Sequence, residues 1–284
     1  MAKKRVLVTG AKGVIASKVI PELKSYYDLI LLDIQDMSDQ KTDRVDTVVA
    51  DLLDRNRDAY REYFSDVDAV IHSGFVKKRD GEEAFWAELD NVKMAYNVYQ
   101  TCVEESVPRL VVISSNHAAD FYEQHILSGK LLSIGPDTYP LSDNYYGWAK
   151  VAYEALGFAF AVGKLNDGNR LENVQIRIGA PREADINGCK PGDTRKLHRD
   201  LGAYLSLRDE VQLLVKSIET PDIKNEFDVP FQVFYGISGN TFNFWSIENA
   251  KRVLGYRPED DSVAHFSEKV AAILGIKKEE PPQK

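Results

Sequence analysis

The sequence is poor in sulfur, short of positive charge and without a long apolar run. Its two cysteines, Cys102 and Cys189, stand far apart with no C-x-x-C, and the five histidines do not gather with them. That excludes a disulfide framework and a zinc site, so no metal is expected and both thiols are expected to be inert. No stretch approaches the roughly 18 to 20 apolar residues of a membrane span, and Met1-Ala2-Lys3-Lys4 leads straight into a strand-like run, so the chain is expected in the cytosol with no membrane partner. Lysine and arginine number 36 against 44 acidic residues, a net charge of -8, and no basic stripe offsets it. A nucleic-acid partner is therefore not expected. The one basic cluster, Lys77-Lys78-Arg79, is local. What the chain does have is 44% hydrophobic content over 284 residues, enough for one large core, or one core with a small cap.

The N-terminus carries the first chemical signal. Arg5 to Thr9 reads as a short buried strand that runs into Gly10-Ala11-Lys12-Gly13-Val14-Ile15-Ala16, the opening of a helical pattern. Gly10 permits a tight turn, Gly13 lets backbone approach a pyrophosphate, and Ala16 is small enough for close packing of helix on strand. Lys12, Val14 and Ile15 lie in the same turn, where helix amides and the positive dipole end suit phosphates. A plain strand-to-helix turn also uses glycine, so the context decides. A second apolar strand, Asp28 to Leu32, ends in Asp33, about 20 residues on, the distance expected for a carboxylate that binds an adenosine ribose. That carboxylate suits the free 2′-hydroxyl of NAD and repels the 2′-phosphate of NADP. Ile34, not an arginine, follows it, so the cofactor expected is NAD.

Further strand-like runs at 46–52, 68–75, 109–115 and 173–179 alternate with helical patterns at 54–64, 81–106 and 144–165. Such alternation predicts an α/β fold, a Rossmann-like doubly wound parallel sheet with right-handed crossovers and a small C-terminal substrate-binding cap. The chain reads as a single unit over 1–284. Residues 1–170 are mainly the NAD-binding core, 171–275 mainly the substrate part interleaved with the last strands, and 276–284 a flexible tail. Pro21 is expected to bend the first helix. The Pro/Gly/Asp/Arg-rich segment 179–199 reads as loop or cap, 227–238 as a further strand, and Ser246 to Gly255 as a capped helix. Ligands bind beyond the carboxyl ends of such strands, which sets Gly10, Asp33, His72 to Phe75, Ser114 to His117 and Gly179 along one rim.

Tyr146 is the only one of 14 tyrosines with a lysine four places on, Lys150. On a helix the two share a face, and the ammonium would favour the phenolate. A phenol of ordinary pKa about 10 becomes a base near neutrality if that value falls by about 3, or about 4 kcal/mol. Alone, the spacing is equally that of a surface helix. In chain order with the glycine turn, Asp33 and Ser115, it reads as an enzyme.

Those residues, with Asp51-Leu52 and Asn91, resemble an extended short-chain dehydrogenase/reductase of the NAD-dependent epimerase/dehydratase family, over nearly the whole chain. Ser114-Ser115-Asn116-His117, Ile176-Arg177-Ile178-Gly179 and Tyr235-Gly236-Ile237-Ser238-Gly239-Asn240 are most similar to uronate dehydrogenases and archaeal NAD-dependent glucose-6-phosphate dehydrogenases. The resemblance implies oxidation of a cyclic sugar at C1 to a lactone, with Tyr146 as base, Lys150 holding the phenolate and the nicotinamide ribose, and Ser115 orienting the hydroxyl. It implies that Asp51 and Leu52 flank adenine, and that Ser73, Gly74, Phe75, Asn91, Ile113 and Ile178 belong to the cofactor-binding set. Val76, Asn116, His117 and Gly179 fall to the substrate, and His117 reads equally as a structural histidine. Arg195 resembles the carboxylate-binding arginine of the uronate enzymes. The chain departs from them after the fourth strand, where they carry small polar groups and it has Phe75-Val76-Lys77-Lys78-Arg79. The partner expected is a small sugar, anionic or neutral, with the oligomeric state open. A nucleotide-sugar epimerase/dehydratase and a non-catalytic NAD-binding sensor stand as alternatives.

Overall fold

In the computed structural model, which describes residues 2–35 and 45–276, the apolar runs become seven strands: β1 Arg5–Thr9, β2 Asp28–Asp33, β3 Val45–Val49, β4 Ala69–His72, β5 Leu110–Ser115, β6 Asn173–Ile178 and β7 Phe231–Gly236. All pair in parallel, in the order β3-β2-β1-β4-β5-β6-β7. β4, β5 and β6 are buried at every position, as expected where helices cover both faces of a sheet. The order reverses between β1 and β4, and the crevice at that switch point is where ligands enter such sheets.

The helices are α1 Ala16–Leu23, α2 Ala84–Glu104, α3 Glu123–Leu127, α4 Tyr145–Val162, α5 Glu183–Asn187, α6 Thr194–Ala203, α7 Leu207–Glu219, α8 Glu248–Leu254, α9 Ser262–His265 and α10 Ser267–Leu274. Alternation along β1 assigns them to faces: Val6 and Val8 pack in one core with residues of α1, α7 and α8, and Leu7 in another with residues of α2 and α4. A third cluster, including Ile186, Leu197, Leu201, Phe266 and Val270, joins α5, α6, α9 and α10 into a cap.

Three readings change. The helix expected at 54–64 is two short 3₁₀ turns, Arg57–Ala59 and Arg61–Phe64. Asp54 takes the Asn56 amide at 2.9 Å, a local bond that competes with a regular helix. The segment 179–199 is not simply loop, since it holds α5 and the start of α6. Leu197 and Leu201, one turn apart, bury a stripe in an otherwise charged stretch. The helix before Gly255 begins at Glu248, with Ile247 in the cap position and Ser246 accepting the Glu248 amide at 3.4 Å. Gly255 closes it at φ 65°. Pro21 lies inside α1. The expected flexible tail lies outside the described residues apart from Ile276.

Among the described residues no helix is long and apolar enough to cross a membrane, and no group of His, Cys, Asp and Glu could hold a metal ion. Cys102 and Cys189 are free and buried, and burial pushes both thiols up.

Candidate active site

The strand ends frame a cleft of about 770 Å³. At one end, β1 turns into α1 through Gly10, whose φ is 68°. A Cβ there would stand 2.6 Å from the Gly74 backbone, so glycine is required both by the left-handed conformation and by the approach of the loop after β4. Asp33, at the end of β2, is held by two backbone amides, Lys12 N to Oδ2 at 2.9 Å and Gln35 N to Oδ1 at 3.1 Å. A carboxylate fixed at the cleft wall, beside a helix start whose first amides lack intrahelical acceptors, fits the ribose and phosphates of a dinucleotide. Asp51 and Leu52 line the same end.

At the other end the first turn of α4 carries Tyr146. Asn144 caps it, Oδ1 accepting the Gly147 amide at 2.9 Å. A Cβ on Gly147 would fall 2.0 Å from the His117 carbonyl and 2.1 Å from Ser142 Oγ, so only glycine lets α4 close onto the segment after β5. That approach sets the Tyr146 ring edge-on to His117 at 5.5 Å and to Phe75 at 5.7 Å. His117 Nδ1 pairs with Asp120 Oδ2 at 2.5 Å, and Asn144 Nδ2 donates to that oxygen at 2.8 Å. The cap of α4 and the His117 side chain are thus joined.

Lys150 is buried. Its Nζ donates to the Ile113 carbonyl at 3.2 Å and lies 5.5 Å from the Tyr146 ring centroid and 4.4 Å from that of Tyr153. Burial lowers it to about 8, against the fields of Glu88 and Glu154. The depression of Tyr146 that the Tyr-Lys spacing suggests is not found. Burial holds the phenol above its ordinary value; a favourable contact with the Ser115 hydroxyl opposes this, Glu88 adds to it, and Arg182 pulls the other way. The cause is geometric: the ammonium faces Ile113 and Tyr153, while the phenolate would be desolvated.

The cleft is lined by every candidate catalytic, cofactor-binding and substrate-binding residue except three, and His72, expected on the rim, is instead buried in β4 against Thr9. Asn91 does not reach the cleft. Fully buried, it takes the Val76 amide on Oδ1 at 2.7 Å and gives Nδ2 to the Val76 carbonyl at 3.0 Å, supporting the cleft from behind. Asn116 is buried too, its Oδ1 accepting from Ser115 Oγ at 3.4 Å. Arg195, in the first turn of α6, lines a different cleft, with Glu123, Thr194 and Arg199. Arg182, paired with Asp185 at 3.1 Å, lines the main cleft instead, as do Lys77 and Arg79. The sequence signal for Arg182 was its place three residues beyond Gly179, just past the end of β6.

The profile of the NAD dependent epimerase/dehydratase family matches residues 6–163. Over 90% of its length the chain is 29% identical to an NAD-dependent glucose-6-phosphate dehydrogenase of Haloferax volcanii, covering 94% of that protein. It is 30% identical to an L-arabinose 1-dehydrogenase (NAD(P)(+)) of the same organism, over 91% of this chain and 97% of the other. A crystal structure of glucuronic acid dehydrogenase from Chromohalobacter salexigens superposes with a TM-score of 0.74 at 26% identity, covering 99% of this chain and 92% of that one.

Proposed function

The chain belongs to the NAD dependent epimerase/dehydratase family, and from that premise we propose that it is an NAD-dependent dehydrogenase that oxidises a cyclic sugar at C1 to the lactone. The observation that carries this reading is the meeting of Tyr146, Ser115 and Lys150 in the same cleft as the Gly10 turn and Asp33. The cleft lining holds both the glycine turn and Asp33, suited to a dinucleotide, and Ser115 and Tyr146, suited to a sugar. When bound, NAD supplies the ring that accepts the C1 hydride.

The protein's part is orientation and proton transfer. Ser115 orients the anomeric hydroxyl, and Tyr146 takes its proton. Tyr146 and Lys150 act as a coupled pair. The first proton is lost around the Lys150 value, about 8. The pair that remains is either phenol with amine or phenolate with ammonium, and the second form is the base. Oxidation therefore rises with pH through about 8. The residues from 171 on supply the substrate end, and Arg182, Lys77 and Arg79 all line the cleft. Cations in the cleft lining suit a carboxylate or phosphate on the sugar.

NADH formation with uronic acids, hexose phosphates, neutral hexoses and pentoses tests the reading, with methyl glycosides as controls because their C1 hydroxyl is blocked. Turnover of an anionic free sugar and none of its methyl glycoside is expected. Equal turnover of the two, or no NADH with any of these free sugars, contradicts C1 oxidation.

A further inference from the structure

Behind the Tyr146–Lys150 pair, α2 presents a carboxylate that the chemistry above does not use. Glu88 is 9% exposed. Its Oε2 lies 3.3 Å from Asn91 Nδ2, the amide that also holds Val76. The same stretch of α2 packs on the first turns of α4: the Phe85 ring lies 5.7 Å from Tyr145 and 5.5 Å from Trp148, and Tyr99 donates to the Tyr153 carbonyl at 3.1 Å, which brackets Glu88 and Lys150. Lys150, 4% exposed, donates to the Ile113 carbonyl, and its Nζ lies 5.9 Å from the ring of Phe75, the neighbour of the Val76 that Asn91 holds. Among the described residues no carboxylate lies within ion-pair distance of it. A buried ammonium with no carboxylate partner is costly, so it depends on charges beyond ion-pair distance.

Two carboxylates exert that field, Glu88 first and then Glu154. Glu154 is already committed: it takes Arg177 through both oxygens, at 2.8 and 2.7 Å, and Ser114 Oγ at 2.9 Å. Glu88 forms no ion pair among the described residues; burial raises its carboxyl, and the field of Lys150 and the Asn91 amide oppose that. The remaining groups around the pair do not compete. His72, from β4, bonds Thr9 Oγ1 at 2.8 Å and is kept neutral by burial; Tyr153, on α4, is a buried phenol. Asp120 and Arg182 act on Tyr146, not on Lys150.

We propose that Glu88 is a positioning residue for proton transfer, the buried counter-charge that keeps Lys150 an ammonium beside Tyr146 while touching neither substrate nor cofactor. The inference rests on the Tyr146–Lys150 reading. Its sign is fixed by electrostatics: the Glu88 charge stabilises the ammonium and destabilises the phenolate, so it holds the pair's first proton on. Removing that charge releases the proton at lower pH.

The test compares wild type with Glu88→Gln, Glu88→Asp and Glu88→Met. In Glu88→Gln the midpoint of the pH dependence of kcat/KM for sugar oxidation moves down, on the order of one pH unit, a usual size for one neighbouring buried charge. Glu88→Asp, which keeps the charge, retains the wild-type midpoint. Should Glu88→Gln fail to fold, Glu88→Met removes the charge without leaving an unpaired buried polar group and is expected to show the same shift. A second readout needs no turnover. In the ligand-free protein, the tyrosinate absorbance that Tyr146→Phe removes appears at lower pH in the Glu88→Gln background than in wild type. A midpoint unchanged in both charge-removing variants, with activity or melting temperature merely lowered, overturns the proposal. Full turnover in Tyr146→Phe would instead overturn the underlying reading, so the two failures are separable.

Discussion

Arg177 and Glu154 form a two-pronged ion pair under the active-site strand, Nε to Oε1 at 2.8 Å and Nη2 to Oε2 at 2.7 Å, both side chains buried. Ser114 donates to Oε1 and Tyr235 accepts from Arg177 Nη1 at 3.1 Å. The pair ties β5, α4, β6 and β7 together one residue before Ser115. Removing one partner strands a buried charge, so Glu154→Ala should destabilise the fold by about 3 to 5 kcal/mol. Urea unfolding checks this, and a loss under about 1 kcal/mol would show that the charge finds solvent.

Arg182 lines the cleft and Arg195 does not. One charge-assisted hydrogen bond to the sugar's anionic group is worth about 1.5 to 3 kcal/mol, a factor of about 10 to 150. Arg182→Ala should lower kcat/KM for an anionic sugar by that factor and leave a neutral sugar nearly unchanged, while Arg195→Ala should affect neither. The reverse ranking in steady-state assays would return the anion site to Arg195.

Asp33 is locked by the Lys12 and Gln35 amides, so it cannot swing away from a 2′-phosphate. Asp33→Ala should raise the use of NADP relative to NAD. A wild type that already prefers NADP would refute the role given to this carboxylate.

Much of this was legible in the chain. Buried strands such as Leu110–Ser115 announce themselves as apolar runs, and the Gly10 turn and Asp33 keep local spacings that geometry demands. What was hidden depends on contacts distant in sequence. Gly147 looks like a weak helix residue until the His117 carbonyl, thirty positions earlier, is seen to occupy the space of its Cβ. Glu88 reads as one more polar residue of α2 until Lys150 arrives from α4. Arg195 and Arg182 are indistinguishable by type; only the folded chain puts Arg182 in the main cleft and Arg195 in another. The Tyr-Lys spacing located the pair and misjudged its electrostatics, because spacing carries no information about desolvation.

Glu210, on α7, is buried with neither carboxylate oxygen hydrogen-bonded. Burial pushes it up to about 8, against the pull of Lys18. The folded state then binds a proton that the unfolded chain, with an ordinary value of 4.5, has lost. Stability is therefore fully present below about 4.5 on this account and falls as pH rises toward 8. Glu210→Gln should raise the melting temperature at pH 8 while changing it little at pH 5. Calorimetry at the two values checks this, and an equal change at both would contradict it.

The central claim is that Tyr146 removes the hydroxyl proton during sugar oxidation, and paired measurements of kcat and NADH affinity in Tyr146→Phe test it most directly. The ring, its contacts with Phe75 and His117 and the fold are retained, and only the phenol is lost. The account predicts a kcat at least about 100-fold below wild type, the lower end for a lost general base, with NADH binding unchanged. A kcat near that of wild type, with NADH bound as tightly, would contradict it.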